Sequence, residues 1–179
     1  DLPIQHINDT LLRRMNRRGT AADIRRILKK ARDMGFTLRT SLIVGFPGET
    51  EEQFQELMDF VAEARFDRMG AFAFSPEENT PAAEMPDQIP EEVKQERLDR
   101  LMKLQAQISL ENNQARIGTV EKVLVTDARD GLFLGRSQRE APDADGAIVF
   151  TAKEAPEVGS FVQVRITGAE TYDLKGERL

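Results

Sequence analysis

The sequence predicts a molecule of two classes, α/β followed by all-β. A partial (β/α) barrel is expected over residues 1–115, and a small five-stranded β-barrel of the oligonucleotide-binding type over residues 116–179. Three observations predict it. Strand-like and helix-like stretches alternate up to about residue 115 with short connections, which implies parallel strands and right-handed crossovers. After Gly118 the texture changes to short strands separated by turn signals. Finally, the chain is 40% hydrophobic, enough to fill a core, and its 31% charged content does not reach the pattern of a disordered chain.

Taken in order, Asp1-Leu-Pro-Ile-Gln-His6 reads as the end of a buried strand, and with no initiator Met the protein is expected to extend upstream. Thr20 is an N-cap with Asp23 three residues on, and Ile24, Ile27, Leu28 and Ala31 form one apolar stripe. Gly35 sits where a left-handed C-cap belongs. Leu38–Val44 reads as a strand buried on both faces. Thr50 with Gln53 makes a capping box for a second helix carrying Phe54, Leu57, Met58 and Val61. Met69–Phe74 is a third strand, and Ser75–Pro90 a polar loop. A long helix begins near Pro90, with Glu91 and Glu92 suited to its dipole, and fades between Asn112 and Arg116. Three such strand–helix units are half a barrel or a small open sheet, and the open edges of a half barrel predict a dimer or some other cover. The strands expected beyond are Thr119–Thr126, Gly131–Ser137, Gly146–Thr151, Phe161–Thr167 and Thr171–Leu174, with Asp130-Gly131, Asp145-Gly146 and Val158-Gly159 as turns.

Composition removes several kinds of chemistry. The absence of cysteine excludes disulfides, thiolate zinc sites and cysteine-ligated clusters within these residues, and one histidine, His6, leaves no His-based metal site. No metal ligands and no catalytic residue are therefore expected in this chain. No apolar run approaches the roughly 18 residues that span a bilayer, and no signal peptide opens the chain, so a soluble cytoplasmic location without membrane contact is expected. Charge is uneven. Residues 13–39 carry ten basic and two acidic side chains, residues 40–111 six and sixteen, and residues 116–179 nine and eleven. A mildly acidic C-terminal part is a poor generic nucleic-acid binder and suits a basic protein partner better.

Several motifs admit a functional and a plainer reading. Ile43-Val44-Gly45-Phe-Pro-Gly48-Glu49-Thr50 lies where a strand meets a helix start, the end of a parallel barrel where active sites gather. Spacing alone favours an ordinary turn whose glycines only satisfy the backbone. Gln5 and His6 could hydrogen-bond a ribose or carboxylate, or simply close the core, and the two readings stand even. Phe72-Ala-Phe74-Ser75 could stack an adenine, although an aromatic stripe is more often core. Arg25 to Lys30 read as a solvated helix face, whereas Arg17 and Arg18 precede Gly19 in a loop and point to ligand or substrate contact. Glu77 and Glu78 read as loop carboxylates facing water. Asp143 and Asp145 either contact a basic partner or shape a hairpin turn.

Taken together, Pro3-Ile-Gln5-His6, Met15-Asn-Arg17-Arg18-Gly19-Thr20, the Ile43–Thr50 element and Phe66–Ala82 resemble the later catalytic barrel of the radical S-adenosylmethionine (SAM) methylthiotransferases. Gly135-Arg136-Ser137, Ala141–Gly146 and Thr171-Tyr172-Asp173-Leu174 resemble the TRAM domain of the branch that modifies an aspartate of a small-subunit ribosomal protein. The resemblance implies the second half of a radical-SAM barrel followed by a TRAM barrel. It implies SAM and two [4Fe–4S] clusters as cofactors of the complete enzyme, and a methylthio transfer that the cysteine-free fragment cannot perform alone. By the same analogy Gln5 and His6 lie near the ribose and carboxylate edge of SAM, Ile43, Val44 and Gly45 beside the adenine, and Phe74 and Ser75 close the pocket. Arg17, Arg18, Asp143 and Asp145 become substrate contacts. Ser41 stands where the wider superfamily has glycine. The alternatives are a fragment of the relative that methylthiolates tRNA adenosine, whose TRAM domain should be basic, and a non-catalytic module that grips protein or RNA.

Overall fold

A computed structural model describes residues 1–179, and the chain divides inside one long helix into two units, Asp1–Ile108 and Ser109–Leu179. In the first unit a short helix that the sequence reading omitted, α1 (Asp9–Arg14), follows the opening segment. Asn8 caps it, its Oδ1 accepting from the backbone N–H of Thr10 at 3.0 Å and Leu11 at 3.2 Å. Helix α2 (Ala21–Asp33) starts at the expected Thr20–Asp23 capping box, and Gly35 follows it with φ +80°. Strand β1 (Arg39–Val44) leads to α3 (Glu51–Ala64), which starts at the Thr50–Gln53 capping box. Strand β2 (Arg68–Ala73) and the long helix α4 (Glu91–Gln114) complete the unit.

Strands β1 and β2 pair in parallel with Ser41 opposite Gly70 and Ile43 opposite Phe72. The opening segment adds a third track on the other side of β1. The Gln5 N–H donates to the Ser41 carbonyl at 2.9 Å, and the Ile43 N–H to the Gln5 carbonyl at 2.8 Å. It remains an isolated bridge and does not become a full strand, because Gln5 takes a left-handed backbone, φ 69°, which ends the extended run.

One expectation is corrected in β1. The strand is buried on one face only: Thr40, Leu42 and Val44 face inward, whereas Arg39, Ser41 and Ile43 are half-buried. Period two separates the faces, and the Ile43 face borders a hollow instead of a packed layer. The core joins Leu42 and Val44 to Phe54, Leu57, Phe60 and Val61 of α3 and to Phe66, Leu101 and Ile108. Phe60 and Phe66 meet edge to face at 5.9 Å.

The second unit is a closed five-stranded barrel in the order β3-β4-β5-β7-β6: Val120–Arg129, Leu132–Arg136, Ile148–Thr151, Leu174–Arg178 and Phe161–Ala169. All pairings are antiparallel except β5 with β7. Register shifts at Val125/Asp127 and Ile166/Gly168 bend β3 and β6 enough to close the ring. Inside lie Val123, Val125, Phe133, Ile148, Phe150, Val162, Val164, Ile166 and Leu174. So small a barrel needs close backbone approach: a Cβ on Gly135 would meet Val123 Cγ1 at 2.4 Å and the Leu124 carbonyl oxygen at 2.6 Å.

The last strand runs later than expected. Asn113 Nδ2 donates to the carbonyls of Glu170 and Thr171 at 2.9 and 3.1 Å, and Asp173 Oδ1 accepts from the Ala147 N–H at 2.8 Å. Those bonds hold residues 170–173 as a turn, so the ladder begins at Leu174. The same Asn113 contacts give the end of α4 to the second unit, ahead of the expected division at residue 116.

Candidate functional site

The carboxyl ends of three parallel tracks in the first unit open on one hollow of about 440 Å³, within the range of small-ligand sites. Gln5, Ile43 and Phe74 line it from the opening segment, β1 and the end of β2; Arg14 and Arg17 line it from the α1 side. Thr80, Pro81, Ala82 and Met85 form its outer wall. That wall is an ordered loop. Gln88 Nε2 donates to the carbonyls of Ala82, Ala83 and Met85 at 3.0 to 3.4 Å, and the Gly48 N–H donates to the Asp87 carbonyl at 2.8 Å.

Of the cofactor residues expected from sequence, Gln5, Ile43 and Phe74 meet at this hollow. Phe74 is held there by Phe46, edge to face at 5.1 Å, and by Lys94, whose Nζ donates to the Phe74 carbonyl at 2.9 Å. Val44 points away into the core, fully buried. Ser75 is exposed and off the wall. Gly45 and His6 sit behind the wall. Glu49, itself 2% exposed, accepts from the Gly45 N–H at 2.6 Å, pairs with His6 Nε2 at 3.1 Å and takes the Arg97 guanidinium at 2.7 Å. The other His6 nitrogen, Nδ1, accepts from the Asn8 N–H at 2.9 Å. Both ring nitrogens are thus spent inside the protein, and His6 braces the strand-to-helix turn where a ligand contact was expected. The carboxylate fixes three separate segments at once, which is how a loop end acquires a defined shape.

Among the substrate residues, Arg17 lines the hollow, and its Nη2 donates to the Pro3 carbonyl at 2.5 Å. Arg18 is exposed outside it. In the second unit Asp143 is exposed in a left-handed turn, φ 60°, and Asp145 Oδ2 accepts from the Ala141 N–H at 2.7 Å. The Arg25–Lys30 cluster is a solvated face laced by ion pairs: Arg25 with Glu63, Arg26 with Asp23 at 2.8 Å and Lys29 with Asp33 at 2.6 Å. Glu77 and Glu78 are exposed.

Lys94 and Arg97 escaped sequence reasoning. Lys94, Arg97, Leu101, Gln105 and Ile108 are buried along one stripe of α4. A search for apolar periodicity passes over such a stripe, because its first two members are charged. Their i, i+3 spacing ahead of Leu101 was the available signal.

The second unit holds a larger cleft, about 720 Å³, lined among others by Val120, Lys122, Phe161, Arg136 and Arg139. Its floor is a buried ion cluster. Arg116 donates to Glu121 at 2.7 and 2.8 Å, to Glu140 at 2.6 Å and to Ser137 at 3.3 Å. Burial works against the charge on Arg116, yet the two carboxylates raise its pKa further above its ordinary value. Burial also pushes the Glu121 carboxyl up, but hydrogen bonds and charge from Arg116 outweigh it and hold the group below its ordinary value.

The hollow fits a nucleoside with a polar tail, having apolar walls and a few polar atoms at strand ends. The chain does not fit an iron–sulfur cluster: it has no cysteine, and no group of His, Asp or Glu is placed to hold a metal. No helix is long and apolar enough to cross a membrane.

The radical SAM superfamily profile matches residues 1–61, and the TRAM domain profile residues 117–179. A protein of Geobacter sulfurreducens named ribosomal protein uS12 methylthiotransferase RimO is 53% identical over 99% of this chain and 40% of its own length. The proteins of that name from Heliobacterium modesticaldum and Desulforamulus reducens are 52% and 50% identical, over 100% and 99% of this chain and 39% and 41% of their own lengths. The chain therefore spans about two fifths of the relatives it matches.

Proposed function

The chain belongs to the radical SAM methylthiotransferase family, and on that premise we propose that it is the part of a uS12 methylthiotransferase that forms one wall of the SAM hollow and carries the substrate-recognising TRAM barrel. The complete enzyme, in the cytoplasm, would use SAM and two [4Fe–4S] clusters to place a methylthio group on an aspartate of the small-subunit ribosomal protein. This chain supplies no cluster ligand. One observation carries the reading: Gln5, Ile43 and Phe74, from three separate tracks, border a single hollow.

Ile43 and Phe74 offer apolar surface to an adenine, and Gln5 offers a side-chain amide to a ribose. Gly45, behind the wall, is tied with His6 to Glu49, and Val44 anchors the same turn in the core. Arg17 holds the opening segment through Pro3, and Arg18, like Ser75, would act from the rim. Bound SAM would supply the reactive sulfonium, and these residues would bind it, orient it and exclude water. Residues 1–115 would act as the barrel half and 116–179 as the TRAM domain, with Asp143 and Asp145 facing a basic substrate. The other edge of β2, where Phe72 is 60% exposed, pairs with no strand and is the edge through which a dimer would form.

Calorimetric titration of SAM into the protein tests the hollow. Wild type should bind, and Ile43→Arg, with unchanged circular dichroism, should not. Equal binding by both, or none by wild type, rejects the assignment. Titration with uS12 and with a tRNA anticodon stem-loop at moderate salt tests the partner. Tighter tRNA binding, through the Lys122, Arg136 and Arg139 side of the barrel, would overturn the ribosomal-protein substrate.

A further inference from the structure

We propose that the cleft of the second unit docks an acidic protein segment carrying one aromatic anchor, a partner other than the ribosomal-protein substrate. The inference goes beyond the SAM reading and does not rest on it. On the outer face of the barrel a cross-strand row joins three chemistries. Arg136 on β4 stands opposite Leu124 on β3, and Leu124 stands opposite Phe161 on β6. All three line the cleft. Phe161 is 61% exposed and Val120, in the same cleft, 47%, so the row leaves apolar area open to a partner. Lys122 steadies the ring, with its Nζ 4.5 Å from the ring centroid.

Charge decides what covers that row. Four basic side chains line the cleft against one acidic, Glu121. Arg116 is met by Glu121 and Glu140, and Arg139 acts on Glu121 through its charge. Arg136 and Lys122 make no side-chain hydrogen bond or ion pair in the chain, and Arg136 is half-buried. A guanidinium that has lost part of its water is unfavourable until an anion meets it, and a carboxylate matches its planar fork. One apolar anchor on Phe161 and Leu124, flanked by carboxylates on Arg136 and Lys122, has the anatomy of an interface centre with its polar rim. A nucleic-acid strand fits less well. Tracking a strand takes a series of aromatic platforms, and Phe161 is the one aromatic that lines the cleft. Residues 116–179 carry nine basic and eleven acidic side chains, so the unit as a whole does not attract a polyphosphate. Asp143 and Asp145 do not line the cleft, so the surface proposed for a basic substrate is a different one.

Fluorescence anisotropy at moderate salt tests the cleft on the whole protein with three labelled probes. They are a capped peptide of glutamates around a central phenylalanine, the same peptide with glycine in place of that phenylalanine, and a single-stranded RNA of equal charge. The phenylalanine peptide should bind most tightly, and loss of its anchor should weaken it about tenfold. R136E, K122E and F161S, each with unchanged circular dichroism, should weaken it by at least about tenfold. K153E makes the same charge change at an exposed site off the cleft and should stay within about twofold of wild type. Tighter binding of the RNA would give the cleft to nucleic acid and overturn the inference. So would no binding of the phenylalanine peptide, equal binding of the two peptides, affinity unmoved by R136E or F161S, or an equal loss with K153E. None of these outcomes depends on whether the protein binds SAM.

Discussion

The two units solve the problem of sheet edges in opposite ways. In the barrel, five strands close on themselves and every strand has two partners. In the first unit β1 and β2 are joined on one side only by the bridge at Gln5 and on the other by nothing strand-like. Closure makes the barrel's architecture self-sufficient, with its apolar residues enclosed by its own strands. The first unit takes its shape from buried polar ties instead: Glu49 with His6, Gly45 and Arg97, and Lys94 with the Phe74 carbonyl. The open arrangement leaves strand ends and a hollow available to a ligand, where the closed one presents mainly an outer surface. The lesson is that the first unit is built on fixed polar anchors, while the second is built on closure.

That contrast can be broken or sharpened by four changes. The only tyrosine, Tyr172, lies in the second unit, so its fluorescence reports that unit while the far-UV helical signal reports chiefly the first. Arg116→Ala should have the largest effect, about 3–5 kcal/mol, because it strands Glu140 as a buried charge without its cation. Urea unfolding followed by tyrosine should shift first; an unchanged midpoint would show that closure alone holds the barrel. Glu49→Gln should cost about 2 kcal/mol on the helical signal, leaving Arg97 without its buried carboxylate. It should also weaken SAM binding, and stability loss without loss of affinity would separate the brace from the hollow.

Thr50→Ala removes half of the α3 capping box and should cost about 1 kcal/mol, again on the helical signal alone. The smallest effect is on acidification. Because the folded-state Glu121 carboxyl sits below its ordinary 4.5, its contribution is complete above that value and is lost as pH falls through the depressed one. The barrel signal should therefore soften below about pH 4.5, and Glu121→Gln should flatten that slope.

Much of this was legible in the residues. Capping boxes at Thr20 and Thr50 are local, involving side chains and backbone three residues apart, so the sequence fixes them without reference to the rest of the molecule. The switch from alternating elements to short strands after Gly118 is likewise a matter of local period and turn residues. Local chemistry also determined that no thiolate cluster can form here, since a missing residue type needs no fold to be missing. Tertiary structure decided the rest. Whether His6 faces a ligand or a brace depends on Glu49, forty-three residues away in sequence, and on Arg97, forty-eight beyond that. Whether the last strand begins at Thr171 or Leu174 depends on Asn113 claiming two carbonyls first. Each is a competition for one partner between groups far apart along the chain, and only the packed chain brings the competitors within reach.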